Sequence, residues 1–388
     1  MRLILAVDAI FPPLTDIGRY AYELATRLPL LEDFEELRYL GMWSWADLPD
    51  VNAFSSEPKD RVFPMPQWLG YLRRSMATKV WAVEMYDAVS EVWRRRLLQQ
   101  GHGAVLHSPN YFLPAYDGPS VATVHDLSIH RFPETHPAAR RRYFDLAFER
   151  SLSRADALIT DSEAVRQELI TYYAVAPERV WTIHLGVDPV FRPQAEDALM
   201  PVLSQYGLAP SRYLLSVGTL EPRKRLDQLI TAYADLPAPL RERYPLVLAG
   251  SSGWLNERVQ PLIERGRSEG WLRYLGYVPQ ADLPALYAGA RAFAMMSIYE
   301  GFGLPLAEAM ACGVPVLTSN CSCMPEVVDG AALLADPGDV VAIRVQLVRL
   351  LEDDVWRVQA MARGMGRAGE MTWERCIRRT LDVYRAVV

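Results

Sequence analysis

Lysine is scarce in this chain of 388 residues: it occurs only at Lys59, Lys79 and Lys224, and arginine supplies the other positive charges. Each lysine is therefore more informative than usual. The formal net charge is -6, which excludes the broadly basic surface that a general nucleic-acid binder needs for its phosphate contacts. Any basic site must be local. Cysteine is also sparse. Cys312, Cys321, Cys323 and Cys376 are few for this length, and Cys-Ser-Cys lacks the further Cys or His partners of a zinc site, so reduced thiols in a cytoplasmic protein are expected. No apolar run reaches the roughly 18 residues of a membrane span. The opening MRLILAVDAIF is interrupted by Asp8 and has no small-residue cleavage site, so it reads as a buried first strand rather than a signal peptide. Gly-x-Gly-x-x-Gly is missing as well: PPLTDIGRYAYEL offers Gly18 alone and LAGSSGW falls short of the pattern, which counts against a nicotinamide enzyme.

What is present is a chain half apolar, too long for one comfortable core and suited to two domains of ordinary size. Short apolar runs alternate with amphipathic stretches, the pattern of parallel sheets covered by helices. RLILAVDA, AVLHSP, SVATVHD and ALITDS read as strands of a first half, and YLLSVGT, YPLVLAGSS, RAFAMMS and VPVLTSN as strands of a second. VWTIHLGVDPVFRPQ, from Val180 to Gln194, carries two prolines and a Gly-Val-Asp turn and reads as the connection. The predicted domains are thus 1–190 and 191–371, with a C-terminal helix over 372–388 whose apolar residues Trp373, Ile377, Leu381, Tyr384 and Val388 have helical spacing. Between Arg61 and Gln100 the chain is rich in Trp, Met and Arg. A pair of ordinary helices with Trp81, Met85 and Trp93 in the core is expected there, while the edge from Trp68 to Arg74 also suits a membrane or lipid-linked surface.

Three stretches carry candidate chemistry. In YEGFGLPLAEAMACGVPV a loop after the strand RAFAMMS leads into a helix that Pro305 suits at its start and Gly313 at its end. Glu300 would then stand just past the strand and Glu308 one turn into the helix, with the amides of Gly301, Phe302, Gly303 and Leu304 pointing out of its N-terminus. Open α/β sheets bind ligands at such a place. The amides and helix dipole suit a phosphate, whereas two carboxylates suit neutral hydroxyls beside it. The plainer alternative makes Glu300 a solvated loop residue and Glu308 a favourable first-turn charge. In SVGTLEPRKRLDQLI, Arg223, Lys224 and Arg225 open a helix against its dipole, so an anion should compensate. A diphosphate held by Arg223 and Lys224 is the natural choice, and a solvated basic turn is the alternative. In ATVHDLSIHRFPE, His125 closes a strand where it could donate to a substrate. The histidine spacings form no metal-ligand pattern, so no metal site is expected.

Together, IGRY at Gly18, TVHD, ITDSEAVRQEL, IHLGVD, SVGTLEPRK, LVLAGSSG, LGYV, YEGFGLPLAEAMACGVPV and MPEVVDGAALLADP resemble, in order and from end to end, the family-4 retaining glycosyltransferases of the GT-B fold. The specific element is Glu-x7-Glu with its Gly-Phe-Gly turn. The resemblance implies two Rossmann-like domains with parallel sheets facing across a cleft, an acceptor domain first and a nucleotide-sugar domain second, and a C-terminal helix crossing back to the first. It gives Glu300 the donor sugar's hydroxyls, Glu308 the ribose, the amides of Gly301 to Leu304 the sugar and its phosphates, and Arg223 and Lys224 the departing diphosphate. His125 would face the transferred sugar, Gly18 and Gly218 would approach the donor, and the base would lie near Gly276, Tyr277 and Val278. Many relatives have a glycine pair where this chain has Asp16-Ile17-Gly18, and Gly-Arg where it has Gly218-Thr219; the second difference throws more weight on Arg223.

The expected activity is metal-independent transfer of a hexose from a nucleotide sugar, with no cofactor. HSPNYFLP, TVHDL and GTLEPRK look most like the branch adding mannose or rhamnose to bacterial surface polysaccharides, such as lipopolysaccharide or exopolysaccharide. GDP-mannose is then the first choice of donor and GDP-rhamnose or a UDP-sugar the second, with a lipid-linked oligosaccharide acceptor at the cytoplasmic face of the membrane. Two other classes stay open. A retaining glycoside hydrolase also uses two carboxylates, and a silent nucleotide-sugar binding subunit would share the same pocket.

Overall fold

The computed structural model describes residues 1–11, 14–48, 80–101, 103–136 and 138–388, with backbone alone at 80–87, 139 and 140. The chain divides into two compact units, Met1–His184 with Glu374–Val388, and Leu185–Trp373.

The first unit is built on a seven-stranded sheet: β1 (Arg2–Ala6), β2 (Glu36–Leu40), β3 (Trp45–Ala46), β4 (Val105–Ser108), β5 (Ser120–Val124), β6 (Ala157–Thr160) and β7 (Val180–Thr182), in the order β3-β2-β1-β4-β5-β6-β7. All pairings are parallel except that of β3 on β2. β4, β5 and β6 are buried throughout, as expected of parallel strands covered on both faces. Their core continues into Phe144, Phe148 and Leu152 of the helix Ala138–Arg154. The second unit has a six-stranded, wholly parallel sheet: β8 (Leu214–Val217), β9 (Leu246–Ala249), β10 (Leu272–Gly276), β11 (Ala292–Met295), β12 (Val316–Ser319) and β13 (Leu333–Ala335), ordered β10-β9-β8-β11-β12-β13. Numbered within the unit this is 3-2-1-4-5-6, the Rossmann order, whose direction reverses between β8 and β11.

The eight strands expected from apolar runs all form. Those not anticipated are the half-exposed β2, the two-residue β3, the short β7 and β13, and β10. β7 lies inside the stretch read as a connection: Val180 to Thr182 pair with Leu158 to Thr160 of β6, and the division between units falls after His184.

The C-terminal helix Trp373–Val387 buries Trp373, Ile377, Leu381 and Tyr384, whereas Val388 lies past its end and is exposed. Tyr384 explains why Glu374–Val388 belongs with the first unit. Its hydroxyl is 2.6 Å from His107 Nδ1, whose Nε2 is 2.9 Å from Thr123 Oγ1 on β5, which in turn meets the Tyr20 hydroxyl at 3.1 Å. Burial, helped by the neighbouring His125, pushes His107 down to about 3, so this ring is neutral and structural. Arg27 with Glu374 at 2.8 Å and Arg385 with Asp33 at 2.6 Å close the ends of the helix. In the helix Val80–Leu98, Trp93 is half exposed and donates to Trp43 O at 2.5 Å, so it is a surface anchor and not the core residue expected. The Trp68 to Arg74 edge lies outside the described residues, as does the side-chain placement of Trp81 and Met85.

Candidate functional site

The loops after β8 and β11 meet at the reversal of strand order in the second unit. The loop after β8 runs from Gly218 through a single 3-10 turn, Pro222–Lys224, into the helix Leu226–Ala234. The loop after β11 runs from Met296 to Gly303 and enters the helix Leu304–Ala311. Gly303 has φ +88 there, a conformation that favours glycine. Pro305 occupies the first turn and Gly313, at φ +71, follows the last, so both ends of this helix form as the sequence predicts.

Glu300 sits at the junction and is only 7% exposed, which removes its reading as a solvated loop residue. Lys224 Nζ and Ser297 Oγ each donate to Oε1 at 2.6 Å, and Arg223 Nη1 donates to Oε2 at 2.7 Å. The same guanidinium donates to Tyr299 O at 2.6 Å and, through Nη2, to Glu221 Oε1 at 2.7 Å. Burial alone would raise the Glu300 carboxyl, but Arg223 and Lys224 outweigh it and hold it at about 2. The anion that the basic turn demanded is therefore supplied first by the chain's own Glu300 and Glu221. A carboxylate offers about four lone-pair sites, and three donors reach this one. Among the described residues Oε2 meets Arg223 alone, so it keeps the capacity for another hydroxyl.

A glycine ladder shapes the neighbouring strand ends. Gly250, at φ +149, lies so close to Gly218 that a Cβ would fall 2.0 Å from Gly218 O. Gly218 N bonds Ala249 O at 2.9 Å and Gly250 N bonds Gly276 O at 2.7 Å. LAGSSG, too short for a dinucleotide fingerprint, thus earns its glycine by letting three strand ends close on one another. Beyond Gly276, Val278 is buried and the Tyr277 side chain is half exposed. Glu308 is partly buried on the second turn side of its helix.

Residues of the first unit are disposed differently. His125 is buried, with Nδ1 2.7 Å from Asp161 Oδ2 and Nε2 2.8 Å from Pro109 O. Both neighbours are acceptors when Asp161 is ionised, and the ring then carries a proton on each nitrogen. Burial works against that charge, but Asp161 prevails and the imidazole pKa is raised. Tyr20 and Tyr111 box the ring edge-on at 5.2 and 5.7 Å. In this arrangement both nitrogens are engaged by acceptors of the first unit itself. Gly18 opens the helix Asp16–Arg27, but its amide donates to the capping Thr15 Oγ1 at 3.2 Å, and a Cβ would meet Ala9 O at 2.8 Å. Close packing and capping account for this glycine without a phosphate.

The comparisons with known proteins agree with the second unit's geometry. The family described as Glycosyl transferases group 1 matches residues 205–370, and Glycosyltransferase Family 4 matches residues 55–191. The O-antigen chain mannosyltransferase B of Escherichia coli is 41% identical over 387 residues, 99% of this chain and 100% of that one. The chain is a family-4 glycosyltransferase. Another relative of this glycosyltransferase, the serotype-specific mannosyltransferase WbdA of Escherichia coli, is 34% identical over 278 residues, 69% of this chain and 34% of that longer one. Among solved structures, WaaG, a glycosyltransferase involved in lipopolysaccharide biosynthesis, aligns with TM-score 0.71 at 17% identity over 99% of both chains. Anabaena HepE in complex with UDP and glucose aligns with TM-score 0.66 at 17% identity over the whole of both. At these identities the structures speak for the fold, the GT-B pair of Rossmann-like halves.

Ser322 was missed in the sequence. Its hydroxyl donates to Glu300 O at 2.8 Å and accepts from Glu300 N at 3.2 Å. It lies between two cysteines weighed only as metal ligands or inert thiols. The remaining signal, a polar residue held at φ +54, is not visible without the backbone.

Proposed function

We propose that this glycosyltransferase is a retaining, metal-independent mannosyltransferase of surface-polysaccharide synthesis, taking mannose from GDP-mannose to a lipid-linked oligosaccharide. The observation that carries the transfer chemistry is the buried Glu300 bonded at once by Arg223 and Lys224. Mannose and the O-antigen setting are suggested by the full-length likeness to O-antigen chain mannosyltransferase B. The GT-B relative bound to UDP and glucose makes a UDP-sugar the alternative donor, and GDP-rhamnose stays a second choice of sugar.

In this reading Oε2 of Glu300 accepts from a hydroxyl of the donor sugar, while Arg223 and Lys224 turn part of their charge to the β-phosphate. Glu308 accepts from the ribose, and the amides of Gly301 to Leu304, at a helix N-terminus, face the sugar and phosphates. The bond from the anomeric carbon to the β-phosphate oxygen breaks with its electron pair going to the diphosphate. The acceptor oxygen then bonds that carbon from the same face, and its proton passes to the departing phosphate. The protein's contribution is orientation and stabilisation of the leaving charge, and two side-chain cations supply the charge that a divalent ion would otherwise bring. The acceptor role falls to the first unit, at the cytoplasmic face of the membrane; among the described residues no helix is long and apolar enough to cross it.

The test is thermal unfolding with GDP, UDP, dTDP and ADP, each with and without magnesium. A ligand at about 100 times its dissociation constant adds roughly 2.7 kcal/mol. Stabilisation by GDP alone, equal with and without magnesium, is expected. A response to UDP or dTDP keeps the transferase and discards the donor, and silence to all four overturns the binding of a nucleoside diphosphate at this site.

A further inference from the structure

The loop that carries Glu300 has no regular secondary structure, yet its carbonyls are taken one after another by side chains. Ser319 Oγ donates to Ser297 O at 2.5 Å, and Arg223 to Tyr299 O. The remaining partners come from one tripeptide. Cys321 Sγ lies 3.2 Å from Ile298 O, Ser322 Oγ bonds both O and N of Glu300, and Cys323 Sγ lies 3.2 Å from Phe302 O. Three successive side chains thus hold residues 298, 300 and 302, every second residue of the loop. This is the spacing of a strand pairing, made by side chains in place of a neighbouring backbone.

Two further features set Ser322 apart from ordinary loop packing. Its φ of +54 places an L-residue in the left-handed region, where such a conformation persists only when the surroundings impose it and is found at functional sites. The flanking thiols are buried or half-buried, and burial raises both, Cys323 further under the charge of Glu300. They stay protonated and able to donate, although each S–H bond is weak. Within the tripeptide the hydroxyl of Ser322 is the strongest element, and it bonds both backbone groups of Glu300.

We propose that Ser322 is a positioning residue for transfer, fixing the backbone of Glu300 so that its carboxylate is aimed by geometry as well as by Arg223 and Lys224, with Cys321 and Cys323 completing the clasp. This role rests on Glu300 being the donor-sugar contact proposed above. Ser322 touches no substrate itself. Two cations fix where the carboxylate's charge lies, but a flexible backbone would let the oxygens swing between them, and a misplacement of about 1 Å can cost on the order of a hundredfold in rate.

Ser322→Gly separates positioning from folding. Both Ser322→Gly and Ser322→Ala lose the hydroxyl's bonds, but glycine accepts the left-handed conformation without strain, which offsets that loss, so the unfolding midpoint should hold in Ser322→Gly and fall in Ser322→Ala. Hydrogen exchange in the full-length Ser322→Gly protein should quicken at the Glu300 amide and across 297–302, with the rest of the second unit unchanged. Transfer from GDP-mannose to a synthetic mannoside with a lipid tail should fall on the order of a hundredfold in kcat, and the same change on a Glu300→Gln background should cause no further loss. Unaltered exchange over 297–302 would overturn the clasp, as would a loss of transfer that persists in full on the Glu300→Gln background. Wild-type turnover by Glu300→Gln with quickened exchange in Ser322→Gly would instead overturn the role of Glu300 and leave the clasp as loop packing alone.

Discussion

His125 and Glu300 follow parallel strands β5 and β11, one in each unit, and each is a buried charged group met by its opposite. The resemblance ends at the unused valences. His125 spends both ring nitrogens on Asp161 and Pro109 O, and two tyrosines close over its edges. Glu300 meets two cations and Ser297, which leave room on Oε2, and Lys224 and Arg223 remain 13% and 12% exposed. A charged group with every donor engaged stabilises a geometry; one with an acceptor site left over can exchange partners with a ligand. Buried ion pairs of the first kind add little net stability but are costly to break. The second kind is where chemistry can begin, because its charges are already desolvated and aimed.

The largest expected effect breaks this comparison at its open member. Glu300→Gln keeps the size and the hydrogen-bonding shape but removes the charge that holds Arg223 and Lys224. Transfer should fall about a hundredfold or more, in the range seen when an electrostatic contact is removed from an active site, while GDP affinity changes little, since the cations are freed for phosphate. Lys224→Ala should act from the other side, lowering turnover at saturating donor. Steady-state kinetics alongside calorimetric binding of GDP distinguishes these outcomes. Equal losses of transfer and affinity in Glu300→Gln would remove it from sugar positioning, and an unchanged rate in Lys224→Ala would remove that lysine from the leaving-group role.

Much of this site could be read without coordinates, for reasons that differ between residues. Pro305 and Gly313 mark the ends of one helix by local backbone chemistry, so the position of Glu300 just ahead of it followed. Arg223 and Lys224 announced themselves as charges set against a helix dipole. Their partner was the part that local pattern could not supply: Glu300 and Lys224 are 76 residues apart, and only the order of strands in the sheet brings them together. The same limit hid β7, where three residues between a polar turn and a proline-rich stretch acquire strand character from β6. Trp93 shows the converse, an aromatic residue assigned to a core by composition yet held at the surface by a hydrogen bond to Trp43 O. Cys321 and Cys323 drew notice only as thiols, and their orientation toward loop carbonyls depends on the fold.

A second way to sharpen the comparison is to titrate stability, because the two groups respond to pH with opposite sign. The Glu300 carboxyl is depressed from 4.5 to about 2 by Arg223 and Lys224 against its burial. Its contribution is present above pH 4.5 and is lost as pH falls toward 2, to the extent of about 3 kcal/mol at about 1.4 kcal/mol for each pH unit. His125, raised by Asp161 and Asp126 against its burial, contributes fully below its ordinary value of 6.5 and loses that contribution as pH rises through its higher folded pKa. Asp161, raised by burial, acts in the same direction as His125. Unfolding midpoints followed from pH 2 to 9 should therefore show an acid limb that Glu300→Gln flattens and a neutral-to-alkaline limb that His125→Gln flattens. If either substitution flattened both limbs, the two sites could not be treated as separate.

The smallest expected effect lies within the second unit, between the buried charge cluster and the exposed Tyr277. Tyr277 follows β10 and has half its surface in solvent, while Val278 beside it is buried and Gly276 is bound into the strand ends through Gly250. If the base lies against this segment and is read largely by backbone, the ring contributes only a stacking surface. Tyr277→Ala should then leave the unfolding midpoint within about 0.5 kcal/mol of the parent, as for a surface substitution away from any packed feature. GDP should bind about fivefold more weakly, the equivalent of ~1 kcal/mol for one aromatic contact, and kcat at saturating donor should be unchanged. Calorimetry with GDP measures the first and initial rates the second. A fall in kcat would mean that the ring helps to orient the donor's reacting end. No change in affinity would leave the base to the backbone of residues 276–278, since a side chain with no strong partner is dispensable where the fold has already fixed the main chain.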